Sequence, residues 1–370
     1  MTVDPFGRGR CDGNGGYREG DLGMTFHEAS RAQSVSSTHL PPYQIETKPY
    51  GRALVALAEQ RSEIICLGAD LTRQTETDLF RDQLPDRFVN VGMAEANMIG
   101  IAGGLARAGH TVFVNTFGVF ATRRCFDQLA MAVAYPNLSV VIAGFMPGLS
   151  SPGGPSHQAI EDMALMRALP NMAVLDLADA SEIRQAVTIA ADRKGPVYLR
   201  LKRGEIPQIF DDNHKLEFGR AHILSEGSDV TIVASGMMVP AALVAASTLE
   251  QHGLSVGVVN SPSIKPLDSD TILKAARGSR LILTAENHSI IGGLGSAVAE
   301  ALAEAGLAVP LRRIGIADRF AESGSREHLF AKYDLDIAAV LRAVWAGLGL
   351  EGDPPRAHFD TASADEYAPV

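Results

Sequence analysis

The chain is predicted to be an α/β protein of two domains, each a mostly parallel sheet flanked by helices, and three observations carry that prediction. Its 370 residues exceed what one ordinary core accommodates. Short apolar runs closed by Gly or Asp alternate along the chain with helical repeats of about ten residues or more, the pattern of parallel strands joined by crossover helices. A composition of 46% hydrophobic and 21% charged residues is that of a globular protein.

Residues 1–42 are Gly-rich, Ser-rich and charged without a sustained period, and are expected to form a flexible N-terminal extension. The first domain is expected over 43–210. GRALVALAEQ repeats at helical spacing, and SEIICLGAD is a buried strand stopped by Gly68 and Asp70. The alternation continues with RFVNVG, the helix AEANMIGIAGGLARAG, the strand HTVFVNTF, the helix RRCFDQLAMAVAYP and the strand LSVVIAG. The helix HQAIEDMALMRAL, the strand MAVLDLA, the helix SEIRQAVTIAADRKG and the strand PVYLRLK complete it. Residues 211–227 read as an irregular or short β linker. The second domain, 228–350, holds DVTIVASG, LSVGVVNS, RLILTAEN and LRRIGIAD with helices between them, and ends on DIAAVLRAVWAGL. Residues 351–370, Pro-rich and acidic, are expected to be a flexible tail.

A net charge of −10 and the lack of any basic run argue against a nucleic-acid or anionic-membrane partner. Cys11, Cys66 and Cys125 have no CxxC spacing, so no disulfide framework or zinc site is expected. No stretch reaches the roughly 18 apolar residues of a membrane helix, and there is no signal-peptide core; a cytoplasmic location is expected.

In parallel sheets, ligands bind at the carboxyl ends of the strands. That rule selects GADLT, VGMAEAN, NTFGVF, GFMPGLSSPGGPSHQ and LKRGE. Glu95 is the one carboxylate of VGMAEANMIG, at the start of an apolar helix. An acid there commonly faces solvent in the field of the helix dipole; among Met93, Ala94, Ala96 and Met98 it is also a candidate for a buried, proton-sharing acid. His157 suits acid, base or donor chemistry near neutral pH, but taken alone reads as a helix cap. Phe117 and Phe120 have the chemistry to stack on a flat heterocycle or to fill core. Arg203 suits a bidentate grip on an anion, or an exposed position without a partner. IIGGLGSAVAE opens a helix but lacks a full G-x-G-x-x-G, and is weak as a nucleotide loop.

In order, FVNVGMAEANMIGIAGGLA, NTFGVF, GGPSHQAIEDMALMRALPNM, GPVYLRLKRGE, TAENHSIIGGLGSAVAE and IADRFAESGSREHLFAKYDLD resemble the pyrimidine-binding and C-terminal domains of the thiamine-diphosphate transketolase family. The resemblance is closest to the C-terminal subunit of split, two-subunit transketolases; beta subunits of 2-oxoacid dehydrogenases and deoxyxylulose-phosphate synthase share much of it. It implies that Glu95 hydrogen-bonds the cofactor's aminopyrimidine ring and so promotes deprotonation of the thiazolium carbon. It implies that Phe120 and Phe117 pack on the pyrimidine, that Asp70 and Leu71 lie near the cofactor, that His157 contacts donor oxygens and moves protons, and that Arg203 grips an acceptor phosphate. Gln74 falls where a phosphate-binding Ser is common.

The family's metal-binding GDG…N motif is absent. The resemblance therefore implies an N-terminal partner subunit that supplies it, thiamine diphosphate shared across the interface, Mg²⁺ or a similar ion held by the partner with no metal ligand from this chain, and self-association within a heterotetramer. Two departures bear on substrate: Gly153 replaces the usual acid in GGPSHQ, and Gly144 or Phe145 replaces an upstream His. Loss of polar partners for a sugar phosphate predicts an atypical donor.

The expected activity is two-carbon ketol transfer from a ketose-type donor to an aldehyde. The alternatives are the beta subunit of a thiamine-dependent 2-oxoacid dehydrogenase or decarboxylating synthase, or a non-catalytic scaffold. Without partner and cofactor, Glu95 is expected to face water or to be protonated; a fully buried carboxylate salt-bridged to a Lys or Arg of this chain would sink its assignment.

Overall fold

A computed structural model describes residues 43–211 and 213–357. The expected N-terminal extension, and the tail from residue 358 onward, lie outside these residues.

The described chain contains fourteen strands. In the first half they are β1 (Gln44–Thr47), β2 (Ile64–Gly68), β3 (Phe88–Asn90), β4 (Thr111–Phe117), β5 (Val140–Phe145), β6 (Ala173–Asp176), β7 (Val197–Leu201) and β8 (Glu205–Gln208). The second half adds β9 (His222–Ser225), β10 (Val230–Ala234), β11 (Val256–Asn260), β12 (Ser263–Lys265), β13 (Leu281–Ser289) and β14 (Leu311–Ile316). Seven form one sheet in the order β12-β6-β7-β5-β4-β2-β3, and five form a second in the order β14-β13-β10-β11-β9. All neighbours are parallel except the edge pairs β12/β6 and β11/β9. β1 and β8 make a separate antiparallel ribbon.

Strands covered by helices on both faces have no wet side and need no polar alternation. β4 and β5 show this: Phe113, Val141, Ala143 and Phe145 face one core while Val112, Val114, Val140 and Ile142 face the other. A third core lies in the second sheet around Ile232, Val258, Leu283 and Val340. Pro49 opens helix Pro49–Gln60 at a position whose amide would be orphaned anyway. Asp179 caps helix Ala180–Asp192 by accepting from the Glu182 amide at 2.8 Å.

Some elements depart from the sequence reading. RRCFDQLAMAVAYP is not one helix: it breaks into a 3₁₀ turn (Arg123–Cys125), a single α turn (Phe126–Gln128) and a π-helical stretch (Leu129–Ala134). In HQAIEDMALMRAL only Asp162–Ala168 is helical, because a bridge between Pro147 and Ala159 holds the preceding residues extended. β12 comes from the second half of the chain yet completes the edge of the first sheet. β9, inside the expected linker, joins the second sheet.

A buried polar network joins the two sheets. Arg200 on β7 donates to Asp162 (2.7 and 3.1 Å), to the Asn287 carbonyl (2.9 Å), and lies 3.2 Å from Asp176. Tyr198 donates to Asp162 at 2.7 Å and Ser235 to Asp176 at 2.7 Å. Burial alone would push Asp162 up, but Arg200 beside it holds the carboxyl below its usual range. Each charge has its partners, as a buried ion pair requires.

Candidate active site

From β2 the chain crosses outward to the edge strand β3, and from β4 it crosses the opposite way to β5. The loops leaving β2 and β4 therefore diverge, opening the crevice at which α/β sheets bind ligands. Asp70, Leu71 and Gln74 follow β2; Phe117 and Phe120 follow β4.

Glu95 enters this crevice from β3. Gly92, at φ +74°, makes the turn, the Ala94 amide returns to the Gly92 carbonyl (2.7 Å), and helix Glu95–Arg107 begins at Glu95 itself. An acid at that first position faces the free amides and the positive end of the helix dipole. Glu95 is 2% exposed and accepts from Arg124 Nη1 at 2.7 Å. The expectation of a water-facing or protonated carboxylate is thus corrected: Glu95 is buried and ion-paired within its own chain, the arrangement that counts against its assignment. The partner is no fixed core residue, since the Arg124 side chain is 47% exposed. It comes from the 3₁₀ turn after Phe120 and lays its guanidinium over the Phe120 ring, 4.0 Å from the centroid. The apolar surround is also incomplete: Met98 and Ile99 are buried, but Met93 is 81% exposed.

Phe117 and Phe120 stack at 6.0 Å between centroids, and the His157 ring stands edge-on to both, 6.4 Å from Phe117 and 5.3 Å from Phe120. Glu95, Arg124, Phe117, Phe120 and His157 thus form one continuous cluster. His157 is not a helix cap; it precedes helix Asp162–Ala168, whose N-cap is Glu161, and its Nδ1 is 2.8 Å from Ser156 Oγ.

The second domain fixes the loop that carries His157. Asn287 on β13 accepts from the Leu149 amide (2.9 Å) and donates to the Pro147 carbonyl (3.0 Å), and Gln158 donates to the Glu322 carbonyl (3.1 Å). A Cβ on Gly148 would collide with the Asn287 carbonyl, so only glycine lets the loop approach so closely.

The other expected residues lie around the cluster without joining it. Asp70 is exposed, at φ +58°, and exchanges hydrogen bonds with Asn90, which donates to Asp70 Oδ1 (2.7 Å) and accepts from the Asp70 amide (3.0 Å). Leu71 packs on the first core, and Gln74 is half-buried in the following turn. Arg203, half-buried after β7, reaches Met146 Sδ at 3.9 Å, and burial lowers its pKa. Among the described residues no hydrogen bond, ion pair or ring contact joins these four to Glu95, Phe120 or His157.

The departures have structural counterparts. A Cβ on Gly144 would meet Tyr198 Oη at 2.5 Å, and Phe145 is buried against Tyr50, so neither presents a side chain to the crevice. A Cβ on Gly153 would come 2.9 Å from His157 Cβ, so an acid there would press on the imidazole.

Two groups were missed from sequence: Arg124, whose only signal is its place in an Arg doublet shortly after Phe120, and Asn287, whose role depends on a distant loop.

Residues 46–208 match the transketolase pyrimidine binding domain and residues 219–340 the transketolase C-terminal domain. The chain is 40% identical over 305 residues to a putative transketolase C-terminal section of Methanocaldococcus jannaschii, covering 82% of this chain and 96% of that protein. The chain belongs to the transketolase family. It is also 41% identical over 295 residues to the 6-deoxy-6-sulfo-D-fructose transketolase subunit SqwH of Clostridium sp. strain MSTE9, covering 80% of this chain and 91% of the subunit. A solved split gene transketolase, described as an inactive beta4 tetramer, is 44% identical with a TM-score of 0.76, over 82% of this chain and 98% of that one. Family membership implies dependence on thiamine diphosphate.

The cluster fits the aminopyrimidine end of that cofactor on one observation: it already holds a planar, N–H-bearing group, the Arg124 guanidinium, over the Phe120 ring and hydrogen-bonded to Glu95. No helix among the described residues is long and apolar enough to cross a membrane.

Proposed function

We propose that this chain is the C-terminal subunit of a two-subunit, thiamine-diphosphate-dependent transketolase that moves a two-carbon ketol unit from a ketose-type donor to an aldehyde. The observation that carries the reading is the Glu95, Phe120 and His157 cluster at the sheet's topological crevice. The cofactor, when bound, supplies a carbon nucleophile able to cleave and re-form the bond next to a carbonyl. Glu95, its side chain buried at the start of its helix, is the residue for the ring nitrogen. Phe120, with Phe117 behind it, gives the ring a flat apolar wall. His157, held edge-on to both rings by a loop tied down from the second domain, is placed to donate to a substrate oxygen or take its proton. Asp70 and Leu71 border the cofactor end, and Arg203 and Gln74 the substrate end.

Glu95 can perform this role only if Arg124 gives up its place.

The partner is an N-terminal subunit carrying the diphosphate and Mg²⁺ ligands, and this chain turns over only with it, in a heterotetramer in which two copies of this chain pair, in the cytoplasm. That the similar split-gene protein is inactive as a beta4 tetramer supports the need for a partner. The substrate is atypical. Gly153, Gly144 and Phe145 leave the crevice without the acid and imidazole that would partner a common sugar phosphate, and a relative is named for a sulfonated sugar.

The test is reconstitution with the N-terminal partner, thiamine diphosphate and Mg²⁺, followed by assay of hydroxypyruvate, ketose phosphates and sulfonated ketoses with varied aldehydes. Ketol transfer lost on Glu95→Gln is the expected result. Carbon dioxide release with acyl transfer to a lipoyl group would replace this reading with the dehydrogenase one, and full activity of Glu95→Gln would end it.

A further inference from the structure

Arg124 is anomalous for a surface arginine. Its side chain is nearly half exposed, yet it supplies the ion-pair partner of a carboxylate that is almost wholly buried. Its guanidinium carbon also lies over the Phe120 ring, 4.0 Å from the centroid. A guanidinium is planar, carries N–H donors in its own plane and stacks on aromatic faces. The two groups it contacts are therefore the two that the proposed function gives to the cofactor's aminopyrimidine: Glu95, through a hydrogen bond, and the Phe120 ring.

We propose that Arg124 is a built-in stand-in for the cofactor ring, filling the ring's place in the cofactor-free chain and leaving when thiamine diphosphate binds. This rests on the reading of the site given above. It accounts for the burial of Glu95 beside so exposed a partner: a lone desolvated carboxylate would be costly, and Arg124 supplies a counter-charge from a side chain that can return to water. Among the described residues the ion pair to Glu95 comes from Arg124. Cys125 bears on Glu95 electrostatically and keeps its proton, its thiol pushed up to about 12 by burial and then by Glu95, while His157 is edge-on to Phe120 at 5.3 Å and has Ser156 Oγ as its polar contact. Phe120 serves both occupants, so cofactor and guanidinium exclude each other.

The consequence is that Arg124 sets cofactor affinity. If the contact holds the site closed for all but about a tenth of the time, apparent affinity is about tenfold weaker than the open site would allow. Binding energy from the partner subunit, which holds the other end of the cofactor, then has to displace Arg124. The chain alone would keep a closed, stable site, and assembly would open it.

Arg124→Met removes the charge and the plane while keeping a flexible apolar stem. In the reconstituted complex we expect it to tighten thiamine diphosphate binding about tenfold by titration calorimetry, while lowering the melting temperature of the chain alone because Glu95 loses its counter-charge. A residue that only stabilised the fold would lower stability without tightening binding, and a residue that contacts the bound cofactor or substrate would weaken binding; either result overturns the proposal. A measurement on wild-type protein guards against a variant that fails to fold. Phenylglyoxal labelling of Arg124, read by mass spectrometry, should rise when thiamine diphosphate is added to the complex; unchanged or reduced labelling overturns the proposal. Failure here is distinct from failure of the functional reading: if Glu95→Gln abolishes turnover while Arg124→Met leaves affinity unchanged, only the stand-in falls, and if the complex binds no thiamine diphosphate, the functional reading falls with it.

Discussion

Each domain buries a glutamate beside the start of a helix at the carboxyl end of its parallel sheet, and the two are satisfied in opposite ways. Glu286 on β13 accepts from the amides of Leu294 (2.7 Å) and Gly295 (2.8 Å) at the start of helix Leu294–Glu304. A Cβ on Gly293 would collide with Glu286 Oε2, so the chain closes over the carboxyl completely. Among the described residues Glu95 has instead a side-chain partner, Arg124, that is half exposed. A buried acid sealed by its own backbone is architecture; one held by a removable side chain has room for a ligand. The comparison also explains why IIGGLGSAVAE, superficially like a phosphate loop, is poorly suited to be one: Glu286 already occupies the amides a phosphate would need.

The sharpest way to break this contrast is Glu95→Gln. It is nearly isosteric, so the fold should survive, while turnover of the reconstituted enzyme should fall by about 10²–10⁴, the usual range for losing a positioned proton-transfer group. Steady-state kinetics beside thermal unfolding separate the two; a variant that unfolds while keeping its activity per folded molecule would put Glu95 in the same class as Glu286.

Asp162→Ala tests the sealed side. Arg200 is 1% exposed and would keep only Asp176, 3.2 Å away, as a charged partner. Removing one partner of a buried pair costs about 3–5 kcal/mol, so urea unfolding should show a loss of that size, with turnover per folded molecule retained. A loss below about 1 kcal/mol, the range of surface pairs, would mean that water reaches the network.

Much of this contrast was legible in the sequence. TVFVNTF and LSVVIAG announced strands buried on both faces; Glu95, Phe117, Phe120 and His157 were candidates by residue type and position, and only the family resemblance singled them out over core, cap and surface readings. What escaped depended on long-range partners. β12, at three residues, carries no period and exists because β6 offers an edge. The π-helical stretch has ordinary helical composition and deviates only in its hydrogen bonding. Arg124 looked like any surface cation, because whether an arginine covers a carboxylate many residues away is decided by the turn after Phe120. The water-facing Glu95 failed for the same reason.

A smaller effect is expected from Gly153→Asp, which restores the acid common in the family. Its Cβ would meet His157 Cβ at 2.9 Å, and overpacking of this kind costs about 1–3 kcal/mol if nothing yields. The loop is exposed at Gly153, so the imidazole should yield, and kcat/KM should fall while the melting temperature changes little. If the variant instead gained activity on ordinary sugar phosphates, Gly153 would be the specificity switch and His157 indifferent to it.

The smallest effect is a pH dependence belonging to Glu286. Burial raises its carboxyl from 4.5 to about 7 against the pull of its two amide donors. An unfolded chain therefore loses this proton near pH 4.5, and the folded chain keeps it until near pH 7. Between those values the folded state binds more protons, so the contribution of Glu286 to stability is fully present below about pH 4.5, declines as pH rises, and is gone above about pH 7. Glu76, raised to about 7 by burial, acts with the same sign. His222 and His288, lowered by burial, oppose it, because they must be neutral in the fold and favour higher pH. The measurement is consequently a difference: the melting temperature of wild type minus that of Glu286→Gln, followed from pH 4.5 to 8. It should fall as pH rises and level off above 7, since the amide introduced by the substitution cannot titrate while Glu76 and His222 cancel between the two proteins; His288, 3.7 Å from Glu286 Oε2, adds only what the loss of that neighbour changes in its own titration. A difference that stays flat across the window would place the ionised carboxylate, already content with its helix amides, in the folded state throughout, and Glu286 would then hold its charge by backbone alone as Glu95 holds its own by Arg124.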